Sequence, residues 1–308
     1  MEAMKSIPCI TVIVTTYNSE KTIGRLLDSV LKQQGVNSEF RLEILVFDDA
    51  STDGTVAKVA EFGITAEVGI RNSGGPNWGR NLGLRRATGD WISIADHDDE
   101  WVPHRIQTLL RYAEGASILS SGFILRNAEL GRDAVRTADC ANGYRDFAPN
   151  ETFMHRLVRR KGGQNMYIGG LLLRADRASV LFEEEFGQLD YDWLLRLTEG
   201  CTTREVCQPL FIRHVVGSNL SLNPTYRARD FAFALKTLDN YRTTYPELVR
   251  QAEARWHGSY GRYWYAVGDF KQARTYFKQS DWSPAIFAYY LTTFVGGNWI
   301  RRRFQVFG

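Results

Sequence analysis

Three carboxylates stand within four residues at Asp96-His97-Asp98-Asp99, directly after the apolar run 91–95. Like charges at that spacing raise one another's pKa, and a hard divalent cation relieves the cost. Mg2+ or Mn2+ is typically held by one or two carboxylates, with phosphate oxygens completing its shell. The plainer reading of the same residues is a solvated acidic turn, or a cap for a helix beginning near Val102. A second acidic pair, Asp48-Asp49, follows the strand-like segment 42–47 and opens the turn Ala50-Ser51-Thr52-Asp53-Gly54-Thr55. Such a turn often only caps a helix, which suits Asp53. Asp49 is placed instead to meet the base or ribose of a nucleotide, with Thr15 and Tyr17 lining the same cleft. Between the two acidic clusters runs Gly74-Gly75-Pro76-Asn77-Trp78-Gly79-Arg80-Asn81-Leu82-Gly83. Glycine lets a backbone approach a ligand closely, and Arg80 could neutralise a diphosphate. No Gly-Lys-Ser/Thr follows, so this is not a P-loop, and it does not match the dinucleotide fingerprint either; a flexible turn before a helix is the alternative.

These groups act together only if the fold gathers them. Residues 10–14 read as a buried β-branched strand. Residues 15–18 follow as a loop, Ser19 sits at a helix N-cap position, and Ile23, Leu26, Leu27, Val30 and Leu31 recur at helical spacing up to Gly35. Further strands are expected at 42–47, 66–70 and 91–95, with a helix carrying Val56, Val59 and Ala60 between the first two. Alternating strands and helices predict an α/β fold with a mainly parallel sheet. In such sheets ligands collect at the carboxyl ends of the strands. The loop 15–18, the pair Asp48-Asp49 and the cluster at 96–99 each follow a strand, so all three are expected on one edge.

Taken in order, Thr-Val-Ile-Val-Thr-Thr-Tyr-Asn, Val-Phe-Asp-Asp-Ala-Ser-Thr-Asp-Gly-Thr, Asn-Ser-Gly-Gly-Pro with Gly-Arg-Asn-Leu-Gly, and Ala-Asp-His-Asp-Asp-Glu-Trp resemble the family 2 glycosyltransferases of the GT-A fold over residues 8–220. Gly79 stands where that family usually has alanine. The resemblance implies a Rossmann-like, mainly parallel mixed sheet flanked by helices, a UDP-sugar or other nucleotide-sugar donor, and inversion at the anomeric carbon. It implies that Thr15, Tyr17 and Asp49 hold the nucleoside, and that Arg80 lies near the phosphates. Asp96 and Asp98 become the Asp-x-Asp that meets diphosphate and Mn2+ or Mg2+, with Asp98 the direct metal ligand.

Inversion in one displacement needs a base for the acceptor hydroxyl, hence one more carboxylate downstream. Residues 183–197 contain several. The family's Glu-Asp-x-Asp/Glu motif, aligned on Arg196-Leu197, puts Asp190 at the catalytic position and Leu189 where Glu is common. Asp192 is the alternative, better suited to bracing the helix, and the glutamates at 183–185 read as a solvated face. Gly169 and Gly170, before a strand at 171–173, resemble the acceptor-facing wall, and His214 resembles a third metal or diphosphate contact. Residues 126–165 read as variable loops over the acceptor.

The remaining sequence bounds the setting. A net charge of +3 in 308 residues does not argue for nucleic acid. Four cysteines without metal-binding or Cys-x-x-Cys spacing predict free thiols in a reducing compartment. No signal-peptide core precedes the first strand, so a cytoplasmic location is expected, associated through the C-terminal tail with the inner face of the membrane. Two regions follow: a catalytic domain at 1–223 and an all-helical region at 224–308. Within the latter, residues 260–277 resemble one tetratricopeptide-like hairpin built on Gly268-Asp269, Ala273 and Phe277. Residues 282–300 are uncharged and aromatic, and Arg301-Arg302-Arg303 follow. This suits a helix in the membrane interface or a final helix packed on the hairpin, rather than a span. The family resemblance further implies a glycan or lipid-linked acceptor in bacterial surface polysaccharide synthesis. A sugar nucleotidyltransferase would need a basic glycine-rich loop after the first strand, which 15–18 lacks. An inert scaffold would have no use for Asp96, Asp98 and Asp190 together.

Overall fold

The computed structural model describes residues 7–127, 131–159, 162–185, 190–215 and 224–303. Met1–Phe153 and Gly163–Asn219 form one compact unit, and Met154–Gly162 with Leu220–Gly308 another.

The first unit begins with β1 (Cys9–Thr16), α1 (Ile23–Leu31), β2 (Arg41–Asp48), α2 (Thr55–Ala60), β3 (Ala66–Val68), α3 (Asn77–Arg86) and β4 (Trp91–Asp96). It continues with β5 (Asp99–Trp101), α4 (Arg105–Arg111), β6 (Ile118–Asn127), β7 (Arg132–Arg136), β8 (Tyr144–Phe147) and α5 (Glu151–Leu157), whose last residues belong to the other unit. β9 (Leu172–Arg174), α6 (Asp190–Thr198) and β10 (Thr203–Val215) complete it. One mixed sheet runs β3-β2-β1-β4-β9-β6-β10-β5, with β7 on β6 and β8 on β10. Its N-terminal half, β3-β2-β1-β4, is parallel, and antiparallel pairings enter with β9.

Side chains alternate across a strand, so β1 feeds two cores. Ile10, Val12 and Val14 join Ile23, Leu26, Leu27 and Val30 of α1 on one face. Ile13 joins Phe47, Leu84, Ile92 and Ile94 on the other, with Trp193, Leu194 and Leu197 of α6. α3 lies very close to the sheet because it presents glycine there. A Cβ on Gly79 would stand 2.9 Å from both Phe47 Cβ and Thr15 Cγ2, and one on Gly83 2.4 Å from Ile13 Cγ2.

Several local expectations need correction. Ser19 is not the cap of α1: the helix starts at Ile23, and the Ser19 carbonyl accepts from the backbone N–H of Thr22 and Ile23 in a preceding turn. Between the acidic cluster and its following helix comes the short strand β5, so Asp99 caps nothing. Residues 126–165 are more than loops, since they supply β7, β8 and α5. β7 is mostly exposed, which removes the apolar alternation by which a strand is read. Cys140 and Cys207 form a disulfide, 67 residues apart in sequence, and only Cys9 and Cys201 are free. Antiparallel pairing of β8 with β10, continued by a hydrogen bond from the Cys207 N–H to the Gly143 carbonyl (2.8 Å), brings the two cysteine Cα atoms to 5.9 Å. The thiol argument for a reducing compartment therefore does not carry over.

The second unit holds α7 (Pro224–Asp239), α8 (Pro246–Val267), α9 (Phe270–Phe277), α10 (Pro284–Thr292) and α11 (Gly297–Arg303). α8 and α9 form a hairpin. Gly268 turns the chain at φ +96°, a conformation that favours glycine, and the Asp269 carboxylate caps α9 by accepting from the Gln272 N–H at 2.9 Å. Ala273 and Phe277 are fully buried, with Gly261 of α8 beneath the Phe277 ring. No helix among the described residues is long and apolar enough to cross a membrane.

Candidate active site

Parallel register places Thr15 of β1 beside Phe47 of β2 and Asp96 of β4, so the polar segments after these strands leave the sheet at one edge. The Asp48 carboxylate is buried and accepts from the Ser51 N–H (2.8 Å) and Oγ (2.5 Å), which shapes the turn. Asp49, also buried, accepts through both oxygens from the Ser73 N–H, at 2.9 and 3.0 Å, and from Ser73 Oγ. It thereby ties the glycine-rich segment to β2. Beside Ser73 opens a pocket of about 380 Å³, lined by Gly69, Arg71, Ser73, Gly75, Trp78 and Glu184. Thr15 is buried at the strand end, and Tyr17 is exposed.

Close packing of α3 carries Arg80 into the interior. The side chain is 5% exposed and joins two carboxylates far apart in sequence: Nη2 donates to Asp96 Oδ1 at 2.8 Å, and Nη1 to Asp190 Oδ1 at 3.3 Å. Burial alone would lower the Arg80 pKa, but the two carboxylates outweigh it and raise it. Asp96 likewise would rise through burial, and the Arg80 guanidinium holds it below the usual carboxylate range. Arg80, Asp96 and Asp190 are thus brought together.

The segment leading to Asp190 is fixed by the same helix. Asn81 donates Nδ2–H to the Phe182 carbonyl (2.9 Å) and accepts the Phe182 N–H at Oδ1 (2.7 Å). Asn77 donates to the Glu183 carbonyl at 2.8 Å. The Phe182 ring stacks on Trp193 at 4.2 Å and lies under Arg80 at 5.2 Å, while Trp193 Nε1 donates to the Val180 carbonyl. Sequence reasoning missed Asn81, Phe182 and Trp193. Asn81 lies inside the quoted motif, but nothing in its spacing points to residue 182. Asp192 is mostly buried and takes Arg196 one turn on, at 2.6 Å. Leu189 lies outside the described residues.

Of the acidic cluster, Asp98 sits half-buried in the turn between β4 and β5. Its carbonyl accepts from Arg25 Nη2 at 2.8 Å, while its carboxylate has no hydrogen-bond partner among the described residues. Asp99 points inward instead. It is buried, and that burial, with Asp96 and Asp98 adding to it, pushes its pKa well up against the pull of Arg213 and Arg105. A Cβ on Gly169 would come 2.5 Å from Asp99 Oδ2, and one on Gly170 3.1 Å from the Phe211 ring, so these glycines pack against β5 and β10. Beneath them Arg105 is fully buried between the rings of Trp101 (4.7 Å) and Phe211 (5.7 Å), and burial brings its pKa down to about 9. His214 Nε2 meets Glu100 Oε2 at 3.1 Å, and burial lowers its pKa. No described contact joins His214 to Asp96 or Asp98, and residues 216–221 beyond it lie outside the described residues.

No cluster of three or more His, Cys, Asp or Glu ready for a metal occurs among the described residues. A cation that takes one or two carboxylates and fills its shell with phosphate oxygens needs no such cluster. The unpartnered Asp98 carboxylate, with Asp96 near it and Asp99 turned away, fits that donor set.

The sequence profile of Glycosyl transferase family 2 matches residues 11–171, just over half of the chain. Succinoglycan biosynthesis protein ExoO of Rhizobium meliloti (strain 1021) is 35% identical over 116 residues, covering 37% of this chain and 32% of that one. UDP-Glc:alpha-D-GlcNAc-diphosphoundecaprenol beta-1,3-glucosyltransferase WfgD of Escherichia coli is 36% identical over 100 residues, covering 32% of this chain and 38% of that one. The matched stretch therefore spans about a third of each of these relatives. Among solved structures, S. aureus TarS 1-349 in complex with UDP-GlcNAc superposes with a TM-score of 0.59 at 19% identity, covering 96% of this chain and 91% of that one. Mannosyltransferase PcManGT from Pyrobaculum calidifontis, in complex with GDP-Man and Mn2+, gives 0.56 at 17%, covering 96% and 88%. At these identities the likeness is one of fold.

Proposed function

Because the chain belongs to glycosyl transferase family 2, we propose that it transfers a sugar from a nucleotide-diphosphate donor, a UDP-sugar, to an acceptor hydroxyl with inversion. The mixed α/β sheet with flanking helices is the GT-A arrangement. The observation that carries the reading is the buried Arg80 joined to both Asp96 and Asp190, beside the unpartnered Asp98.

The nucleoside lies along the edge formed by Thr15, Tyr17 and Asp49, with its base toward the pocket beside Ser73. The diphosphate lies toward Asp96 and Asp98. Asp98, with Asp96, would hold Mn2+ or Mg2+ there, and the bound cation would supply positive charge against the negative charge growing on the leaving diphosphate. Arg80 reaches the phosphates only indirectly, since both its amino groups are spent on carboxylates; it holds Asp96 and Asp190 in register. The acceptor oxygen attacks the anomeric carbon, its proton passes to an Asp190 carboxylate oxygen, and the bond to the diphosphate breaks. Asp192, committed to Arg196, braces the helix that carries Asp190. His214 serves the diphosphate side only after leaving Glu100.

The names of relatives support bacterial surface polysaccharide synthesis and a glycan or diphospholipid-linked acceptor. With such an acceptor the protein works against the inner face of the cytoplasmic membrane. The test is calorimetric titration with a panel of nucleoside diphosphates, each with Mn2+ and with EDTA. Metal-dependent binding of one diphosphate is expected, and the absence of binding under every condition would sink the proposal.

A further inference from the structure

The second unit exposes large apolar side chains along its last helices. Ile286 and Tyr289 of α10 turn inward, Ile286 being 6% exposed and Tyr289 packing 5.1 Å from the Tyr265 ring. The opposite face carries Phe287 and Leu291, one helical turn apart and half exposed, and the chain goes on to Phe294, Val295 and Trp299, all exposed. Trp282 adds its ring 6.4 Å from Phe287 and 5.2 Å from Tyr290, which in turn packs 5.4 Å from Phe294. Singly scattered apolar residues on a surface need no explanation, but a contiguous strip marks an interaction site.

The charge around the strip selects its occupant. From Trp282 to Gly308 there is no Asp or Glu, and three consecutive arginines, 301–303, lie in α11. Two copies meeting through this strip would bring arginine runs of like sign together, whereas an anionic surface offers the opposite sign. Trp and Tyr are the residues favoured where one end of a ring is apolar and the other wet. We propose that this strip docks on an anionic lipid bilayer, with its aromatic and aliphatic side chains in the headgroup–acyl boundary and the arginine run against acidic headgroups. The proposal is independent of the transfer chemistry.

The test is sedimentation of the full chain with vesicles of phosphatidylcholine alone, or of phosphatidylcholine with phosphatidylglycerol, without nucleotide or acceptor. Binding is expected to the anionic vesicles and to fall at about 0.5 M salt, where charges are screened within a few ångströms. The double variant Phe287→Ser/Leu291→Ser should lose about tenfold or more in vesicle affinity, with an unchanged thermal melt because both side chains are solvent-facing. Replacing the run by Arg301→Gln, Arg302→Gln and Arg303→Gln should abolish the preference for anionic over neutral vesicles. No binding to anionic vesicles, or undiminished binding by the double variant, overturns the proposal. So does a concentration-dependent dimer that this variant dissolves, which would give the strip to a second copy. Nucleotide binding read by calorimetry is separate, so either proposal can fail while the other stands.

Discussion

Arg80 is one positive charge facing two negative ones, and it is nearly sealed from water. Arg80→Met leaves Asp96 and Asp190 without that partner; since both carboxylates are partly exposed, the cost is about 1–3 kcal/mol, read as a shift in the urea midpoint. The same change should raise acceptor KM and lower kcat together, because Asp190 loses its anchor; a variant impaired only in nucleotide affinity would return Arg80 to the phosphates. Asp96 is held below its ordinary value of 3.8, chiefly by Arg80 overcoming burial. An acid whose folded pKa is depressed contributes stability that is full above its unfolded value and is lost as pH falls through the folded one. Wild-type stability should therefore fall more steeply than that of Arg80→Met below about pH 4, measured by denaturation at stepped pH. Asp98→Ala should remove the difference between Mn2+ and EDTA in diphosphate affinity; an undiminished difference places the metal elsewhere. Asp190→Asn should bind donor normally while transfer falls by about a hundredfold or more, and substantial residual transfer would move the base to Asp192.

At the scale of elements, α3 decides how the site is built. Its glycines at 79 and 83 let the helix lie where an ordinary one would be held off. Gly79→Ala forces Phe47 or Thr15 to move and should cost about 1–3 kcal/mol, with weaker nucleotide binding because Arg80 travels with the helix. Equal stability would show that the sheet yields at that point. The strands β1, β2 and β4 were legible because each is a short, mostly apolar and β-branched segment closing on acidic or polar residues. β7 and β8 were not, since β7 faces solvent and the four residues of β8 are too few to show a period. Asp96, Asp98 and Asp190 could be picked out by type and position in the chain, but their grouping around one buried arginine could not. A helix-to-segment bond such as Asn81 to Phe182, 101 residues apart, has no period to reveal it.

For the whole molecule, the Cys140–Cys207 bridge joins two cysteines of the first unit that stand 67 residues apart in sequence. Restricting an unfolded chain in this way is worth about 4 kcal/mol for a loop of that size, so Cys140→Ser/Cys207→Ser should unfold at lower urea, as should the wild type under reductant. Coincident midpoints with and without reductant would mean the thiols stay unpaired in solution. The cysteine spacing gave no hint of this pair, because proximity comes from the pairing of β8 with β10 and not from sequence distance. The hydrogen bonds from Asn77 and Asn81 to the segment 182–183 bear on assembly of the whole site. When parts of a machine are located one after another, small positional errors add along the series. Here the leaving-group side and the base are both gauged from a single reference, the face of α3, so the uncertainty in their separation is set by a few hydrogen bonds rather than by all the chain that lies between them. Loops along that intervening chain can then change length or composition, and acceptor preference with them, without detuning the distance on which the chemistry depends.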